Sequence, residues 1–216
     1  MEDLSLKRRI LDIAYKNKLS HLGSYFSSVD IVDNIYSKMG EDDIFILSSG
    51  HCALALYVVL EKYKNADAED LFRRFGGHPH RSEKDCIHCS TGSLGMGLTA
   101  AVGRAIAEPG RTVHCLISDG ECAEGSIWES LRFIEEKNIK NIKVYVNANG
   151  YAAYDVVEVP YLTRRLEAFH PDIQIIKTDS NVFPFLCGLN AHYHIMSEEE
   201  YQSAKKMLDE RDEADQ

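Results

Sequence analysis

Short apolar runs alternate with segments of helical periodicity along most of the 216 residues, and this alternation limits the possible folds more than any other feature. Runs of four to six apolar residues between polar turns have the length of buried strands. Strands that alternate with helices form parallel sheets with helices on both faces. The sequence therefore predicts a three-layer α/β/α domain with a mainly parallel sheet. The predicted strands are Asp43–Ser48, Thr112–Ile117, Ile142–Val146 and Ile173–Lys177.

The predicted helices show apolar residues three and four positions apart. Ser27 or Ser28 is expected to cap the second of them. We expect one domain over residues 1–197, followed by a charged helix or tail over residues 198–216. The predicted helices are Leu4–Asn17, Val29–Met39, Cys52–Tyr63, Ala68–Phe75, Leu94–Ala107, Ser126–Lys137 and Thr163–Phe169.

The charge and hydropathy of the chain narrow its possible partners. A formal net charge of −10 argues against binding to nucleic acid or to an anionic membrane, since both require a basic surface. No apolar run approaches the length of a transmembrane helix, and the first residues lack the apolar stretch of a secretory signal. The six scattered cysteines fit a reducing compartment. We therefore expect a cytoplasmic protein.

Polar clusters follow three of the predicted strands, namely Ser48–His51, Ser118–Gly125 and Asn147–Tyr151. The carboxyl ends of parallel strands meet at one edge of the sheet, where α/β folds bind their ligands. We therefore expect these clusters to form one site.

A metal and phosphate site is predicted at this edge by Asp119-Gly120 and Asn149-Gly150. Either dipeptide alone is usually a simple turn. Together, at the ends of neighbouring strands, they offer a carboxylate and an amide oxygen to a hard cation such as Mg²⁺. Gly120 lets the backbone approach a phosphate, and the following helix offers free N–H groups.

Ser118–Glu129 resembles the thiamine-diphosphate motif in the form found in transketolases. Asp119-Gly120 is followed by Glu124-Gly125 and, after a helix and a strand, by Asn149. Further motifs of that family occur in the family's order over about residues 15 to 155. These are Ser20–Gly23, Leu47–His51, Gly77–Pro79 and Thr91–Gly97.

The resemblance implies thiamine diphosphate as the cofactor and a role for each matching residue. Asp119, the Asn149 side chain and the main-chain oxygen of Tyr151 would bind Mg²⁺, with Ca²⁺ as an alternative ion. The remaining cofactor contacts would come from His51, Gly92, Ser93, Leu94, Gly120 and Asn149. The catalytic residues would be His21, His51, His78, Glu124 and His192, with Glu129 beside Glu124 in an acidic network and His194 as a rival for the role of His192.

The sequence departs from the family in two ways. The usual Asp-Asp-Asn is Asn147-Ala148-Asn149, and the region after Tyr154 is short. In the family, a second domain supplies a glutamate to the pyrimidine ring and grips the sugar phosphate, and we see no such domain here. The chain thus resembles the diphosphate-binding subunit of a split transketolase, which transfers a two-carbon ketol unit between sugars or sugar phosphates. It would act with a separate pyrimidine-domain subunit in an α2β2 heterotetramer.

Three alternatives remain open at this stage. Cys86-Ile-His-Cys89 has the ligand types of a zinc knuckle, but lacks a second ligand pair. A 2-oxo acid decarboxylase or dehydrogenase component shares the metal motif. A non-catalytic subunit that binds thiamine diphosphate would explain Asn147-Ala148 and the shortened C-terminal region.

Overall fold

The computed structural model describes residues 3–152, 155–188 and 190–214. Its strands are β1 (Ile44–Leu47), β2 (Val113–Ser118), β3 (Ile142–Ala148) and β4 (Gln174–Lys177). Its helices are α1 (Leu4–Lys16), α2 (Leu22–Tyr36), α3 (Ala53–Lys64), α4 (Ala68–Phe75), α5 (Met96–Ala107), α6 (Gly125–Glu136), α7 (Val159–Phe169), α8 (Asn190–Tyr193) and α9 (Glu198–Ala214).

The four strands form one parallel sheet in the order β1-β2-β3-β4. The register pairs Leu47 with Leu116, and Ser118 with Asn147. The first three strands therefore end close to one another at the same edge. Their following loops are brought together there, as the sequence predicts.

Helices cover both faces of the sheet. On one face, Phe45 and Leu116 pack into a core formed with α1, α2, α3, α4 and α9. On the other, Ile46, Cys115 and Val144 pack with α5, α6 and α7. β2 lies between β1 and β3, and all six of its residues are buried. The predicted three-layer α/β/α fold with a parallel sheet is confirmed.

The predicted start of the second helix is wrong. The helix begins at Leu22 rather than Val29, and His21 precedes it in a left-handed conformation with φ of 65°. Ser27 and Ser28 are buried inside α2 and do not cap it. The first turn of this helix was not predicted, because the mostly polar stretch Ser20–Ser24 lacks the apolar spacing by which a helix is recognised.

The third strand is longer than predicted and includes Asn147. The Asn147 amide nitrogen donates to the hydroxyls of Ser27 and Ser28, each at 3.0 Å, and its oxygen accepts from the Thr178 hydroxyl. Asn147 is 2% exposed. An amide that both donates and accepts satisfies this buried environment, in which a carboxylate could only accept.

Helix α9 packs along α1 through Ala204 and Leu208, both completely buried. Tyr201 stacks on Tyr15 with ring centroids 4.2 Å apart, and Arg8 pairs with Asp209. Residues 215 and 216 of the predicted tail lie outside the described residues. Within the described residues, no helix has both the length and the hydropathy needed to cross a membrane.

Gly23, in the first turn of α2, is expected to tolerate no side chain. A Cβ there would lie 2.6 Å from the Cβ of Ala191 and 2.9 Å from the carbonyl oxygen of Ser180. We predict that Gly23→Ala lowers the free energy of unfolding by about 1–3 kcal/mol through overpacking. Chemical denaturation would measure this change.

Gly103 is the matched control, because it also lies within a helix and a Cβ there would contact nothing within 4 Å. Gly103→Ala is expected to raise the free energy of unfolding by about 0.5–1 kcal/mol, since alanine favours the helix. Equal effects of the two substitutions would contradict the close packing of α2 against residues 180 and 191.

Candidate active site

A pocket of about 170 Å³ opens at the carboxyl edge of the sheet. The turns after β2 and β3, the start of α2, the loop before α5 and the segment around α8 all contribute to it. Seven of the predicted site residues line it. These are His21, His51, Leu94, Gly120, Asn149, Tyr151 and His192.

Asp119 lies directly after β2 and is 2% exposed. Its carboxylate accepts hydrogen bonds from the backbone N–H of Gly120 at 2.9 Å and of Gly150 at 2.6 Å. The second bond joins the turn after β2 to the turn after β3. It brings Asp119 next to Asn149, as the metal-site hypothesis requires.

The charge of Asp119 is poorly compensated by the protein. Burial raises the pKa of its carboxyl group to about 6, although the N–H groups of Gly150 and Gly120 favour the ionised form. Among the described residues, only burial and backbone N–H groups act on it, and no cationic side chain does. A buried carboxylate in this state gains stability from a bound cation. The environment therefore fits a metal ligand.

Asn149 and Tyr151 supply the other oxygen atoms of the proposed metal site. The Asn149 side-chain oxygen accepts a hydrogen bond from the Tyr151 N–H at 2.9 Å, which fixes the turn. A Cβ on Gly120 would lie 3.7 Å from the Tyr151 carbonyl oxygen, so this oxygen lies near the turn that contains Gly120. Each of these oxygens retains a lone pair for a cation.

The chemistry of these donors suits Mg²⁺ or Ca²⁺ and does not suit zinc. One carboxylate, one amide and one carbonyl are all hard oxygen ligands. The described residues contain no group of three or more His, Cys, Asp or Glu side chains arranged to hold a metal. This holds around Cys86 and Cys89 as well as at the pocket.

Three histidines cluster at the pocket. The ring centroid of His21 lies 4.2 Å from that of His192 and 5.7 Å from that of His51. The His21 ring is held by a 2.9 Å hydrogen bond between its Nδ1 and the Ser20 hydroxyl. Its backbone N–H donates to the His192 carbonyl at 2.8 Å. The cluster therefore joins the start of α2 to α8.

Burial keeps these imidazoles neutral. It lowers the pKa of His21 to about 4, and repulsion from the neighbouring histidines adds to this effect. Burial also lowers the pKa of His51 and of His192, although the carboxylate of Glu121 opposes the shift at His51. Neutral imidazoles each offer one acceptor and one donor, which suits the recognition of sugar hydroxyls.

His192, rather than its rival His194, lies in the histidine cluster. His194 points to the C-terminal helix, where its Nε2 is 2.8 Å from a carboxylate oxygen of Glu200. Residues two positions apart along a helical turn lie on different faces, so the two histidines point in different directions. The catalytic role of His192 stays a prediction.

The loop before α5 packs tightly against the end of β1. A Cβ on Gly50 would lie 2.6 Å from the Gly92 nitrogen, and a Cβ on Gly92 would lie 2.7 Å from the His78 ring. Gly92 and His78 thus contact each other, but neither lines the pocket, and Ser93 is exposed beside it. Only Leu94 of the predicted loop contacts reaches the pocket wall.

Glu124 and Glu129 are exposed and do not line the pocket. Glu124 precedes the first residue of α6, and Glu129 lies in that helix. Their predicted role in a network across a subunit interface remains untested.

Glu121 is the principal site residue that the sequence did not reveal. It is completely buried. Its carboxylate accepts hydrogen bonds from the Ser48 hydroxyl at 2.7 Å, the Gly95 N–H at 2.9 Å and the Ser118 N–H at 3.0 Å. The sequence feature that could have indicated it is a charged residue directly after Asp119-Gly120, in a turn of otherwise small residues.

Comparisons with known proteins identify a family model and several similar sequences. The family model described as "Transketolase, thiamine diphosphate binding domain" matches residues 10–152. One of the subunits of the apulose-4-phosphate transketolase of Phocaeicola vulgatus is 31% identical over 163 residues, which cover 66% of this chain and 58% of the relative. The transketolase of Homo sapiens is 34% identical over 143 residues, which cover 59% of this chain and 23% of the relative.

The fold is also found in solved structures. The transketolase of Campylobacter jejuni superposes with a TM-score of 0.69 over 96% of this chain and 43% of that chain, at 16% identity. This likeness concerns the fold alone. The matched region spans little more than half of the Phocaeicola vulgatus relative and about a quarter of the human enzyme.

The histidine cluster predicts a loss of stability in acid. Because the folded protein lowers the pKa of His21 from 6.5 to about 4, unfolding allows the imidazole to take up a proton below pH 6.5. His21 should therefore lower the stability of the ligand-free chain as the pH falls from 6.5 to 4, whereas the raised pKa of Asp119 acts in the opposite direction. In His21→Asn, which tolerates the left-handed backbone, the change in stability between pH 7 and pH 5 should be less unfavourable than in the wild type. Urea unfolding at pH 7 and pH 5 measures it.

His80 provides the control for this prediction, because it is exposed and lies outside the cluster. His80→Asn should retain the wild-type difference between the two pH values. A wild-type protein that loses no more stability in acid than His21→Asn would show that the cluster is not held neutral by the fold.

Proposed function

Because the chain belongs to the family of transketolase thiamine-diphosphate-binding domains, we propose that it is the diphosphate- and metal-binding subunit of a two-chain transketolase. The enzyme would transfer a two-carbon ketol unit from a ketose to an aldose. The observation that carries this proposal is the contact between the turns after β2 and β3, beside a pocket with three clustered histidines.

Thiamine diphosphate supplies the carbanion chemistry of such a transfer when it is bound. In our proposal, Asp119, the Asn149 side chain and the Tyr151 carbonyl hold Mg²⁺. The metal would compensate the buried charge of Asp119 and fasten the diphosphate. Gly120, Asn149 and His51 are proposed to contact the diphosphate itself. Gly92, Ser93 and Leu94 are proposed to support the rings of the cofactor.

The histidines are proposed to recognise and orient the substrate. With a pKa of about 4, His21 is neutral near pH 7 and is a weak base. It therefore suits acceptance of a hydrogen bond from a substrate hydroxyl better than complete removal of a proton. We propose that this task is shared by His51 and His192. His78, which packs against Gly92, is proposed to contribute as well.

A second chain is proposed to complete the site. Pockets for small ligands usually have about 300–1,000 Å³, and the pocket here has about 170 Å³. Two of the similar proteins are named as single subunits of an apulose-4-phosphate transketolase. We infer that a pyrimidine-domain subunit forms the remaining wall, with two copies of each chain, and that Glu124 and Glu129 lie near the contact.

Asp119→Asn tests the metal site directly. The substitution removes the charge that faces the proposed cation, so the affinity for Mg²⁺ and thiamine diphosphate should fall. We expect a loss larger than the roughly 10- to 100-fold that removal of an outer-shell partner causes. Isothermal titration calorimetry of the two-chain complex with thiamine diphosphate and Mg²⁺ measures it.

Asp172→Asn is the matched control, because Asp172 is exposed in the turn before β4 and outside the pocket. It should bind as the wild type does. Wild-type complex that binds no cofactor would favour a non-catalytic subunit, and equal binding by Asp119→Asn would remove Asp119 from the metal site.

A substrate screen distinguishes ketol transfer from 2-oxo acid chemistry. The chain with its pyrimidine-domain partner should turn over ketose donors and aldose acceptors, with and without phosphate, and should not decarboxylate 2-oxo acids. Neither chain alone should be active. Turnover restricted to 2-oxo acids, or full activity of this chain alone, would contradict the proposed function.

A further inference from the structure

Glu121 is completely buried, and among the described residues no Lys or Arg side chain pairs with its carboxylate. Burial of an ionised group costs free energy unless hydrogen bonds or charges compensate it. Here the compensation comes from three hydrogen bonds, two of them from backbone N–H groups. A fold that needs only to fill this space could use an apolar side chain, so the carboxylate calls for an explanation.

The three hydrogen bonds reach three separate segments. Ser48 follows the last residue of β1, Ser118 is the last residue of β2, and Gly95 ends the loop before α5. One carboxylate oxygen accepts from Ser48 and Gly95, and the other accepts from Ser118. Glu121 therefore fixes the distances among these segments from a single point.

Each of these segments carries a residue of the proposed site. Ser118 lines the pocket and precedes Asp119, and Leu94, which lines the pocket, precedes Gly95. The Ser48 segment leads into His51. Displacement of any of these three segments would move a proposed cofactor contact.

Gly95 is held in place by more than one constraint. Its backbone has φ of 79°, and a Cβ there would lie 2.3 Å from the Ser126 hydroxyl and 2.9 Å from the Cβ of Glu124. The loop is thus confined on the α6 side by sterics and on the strand side by the Glu121 carboxylate. This confinement sets the position of Leu94.

We propose that Glu121 is a positioning residue that holds the loop before α5 and the turn after β2 in the arrangement that binds thiamine diphosphate. This inference rests on the proposed function. It predicts that the length and the two oxygens of the Glu121 side chain are both required, because the two oxygens accept from the N–H groups of Gly95 and Ser118.

Glu121→Gln provides the first test. A glutamine has one accepting oxygen, so its NH₂ group must face either the Gly95 N–H or the Ser118 N–H, and one segment is released. We expect the backbone amide of Gly95 or of Ser118, whichever is released, to exchange its hydrogen about tenfold faster, as measured by NMR. This factor corresponds to the loss of one hydrogen bond. Affinity of the two-chain complex for thiamine diphosphate with Mg²⁺ should fall by about tenfold on the same basis.

Glu121→Asp distinguishes position from charge. It keeps the carboxylate but is one methylene shorter, so it cannot span both segments. Positioning predicts a loss of affinity similar to that of Glu121→Gln, whereas a role for charge alone predicts wild-type affinity. Glu167→Gln on the exposed surface of α7 is the matched control and should change neither measurement.

The inference is overturned if folded Glu121→Gln shows wild-type exchange at Gly95 and Ser118 together with wild-type cofactor affinity. It is equally overturned if Glu121→Asp binds as the wild type does. If the wild-type complex binds no thiamine diphosphate, the proposed function fails, and the exchange rates of the ligand-free variants still decide whether Glu121 fixes the two segments.

Discussion

The hydrogen bond from the Gly150 N–H to the Asp119 carboxylate, at 2.6 Å, is the interaction on which the site depends. It exists because β2 and β3 are parallel neighbours whose register places Ser118 opposite Asn147. A shift of this register would separate Asp119 from Asn149. The apolar residues of β2 and β3, which are buried between the two helical layers, therefore determine where the proposed metal ligands lie.

The site concentrates ionisable groups whose burial is only partly compensated. The pKa of Asp119 is raised to about 6, that of His21 is lowered to about 4, and Glu121 is completely buried. Such groups reduce the stability of a ligand-free fold, and perturbed pKa values of this kind are common at functional sites. A cation at Asp119 and a polar substrate at the histidines would relieve part of this cost.

The sequence predicted the fold and the meeting of Asp119 with Asn149, because strand periodicity and the order of the motifs depend on local pattern. It failed at the start of α2, where the polar residues from Ser20 to Ser24 gave no apolar spacing. Tertiary contacts made these residues helical, since Gly23 packs against Ala191 and Ser180. Glu121 was missed for a related reason, because two of its three partners, Ser48 and Gly95, come from segments distant in sequence.

The central claim is that one cation lies between the turns after β2 and β3. A crystal structure of the chain with its partner, grown with thiamine diphosphate and Mn²⁺ in place of Mg²⁺, tests this claim through the anomalous signal of manganese. The account predicts one peak about 2.0–2.2 Å from oxygens of Asp119, Asn149 and Tyr151, close to the distances that Mg²⁺ adopts. A peak elsewhere on the chain, or bound cofactor with no peak at these residues, would contradict it.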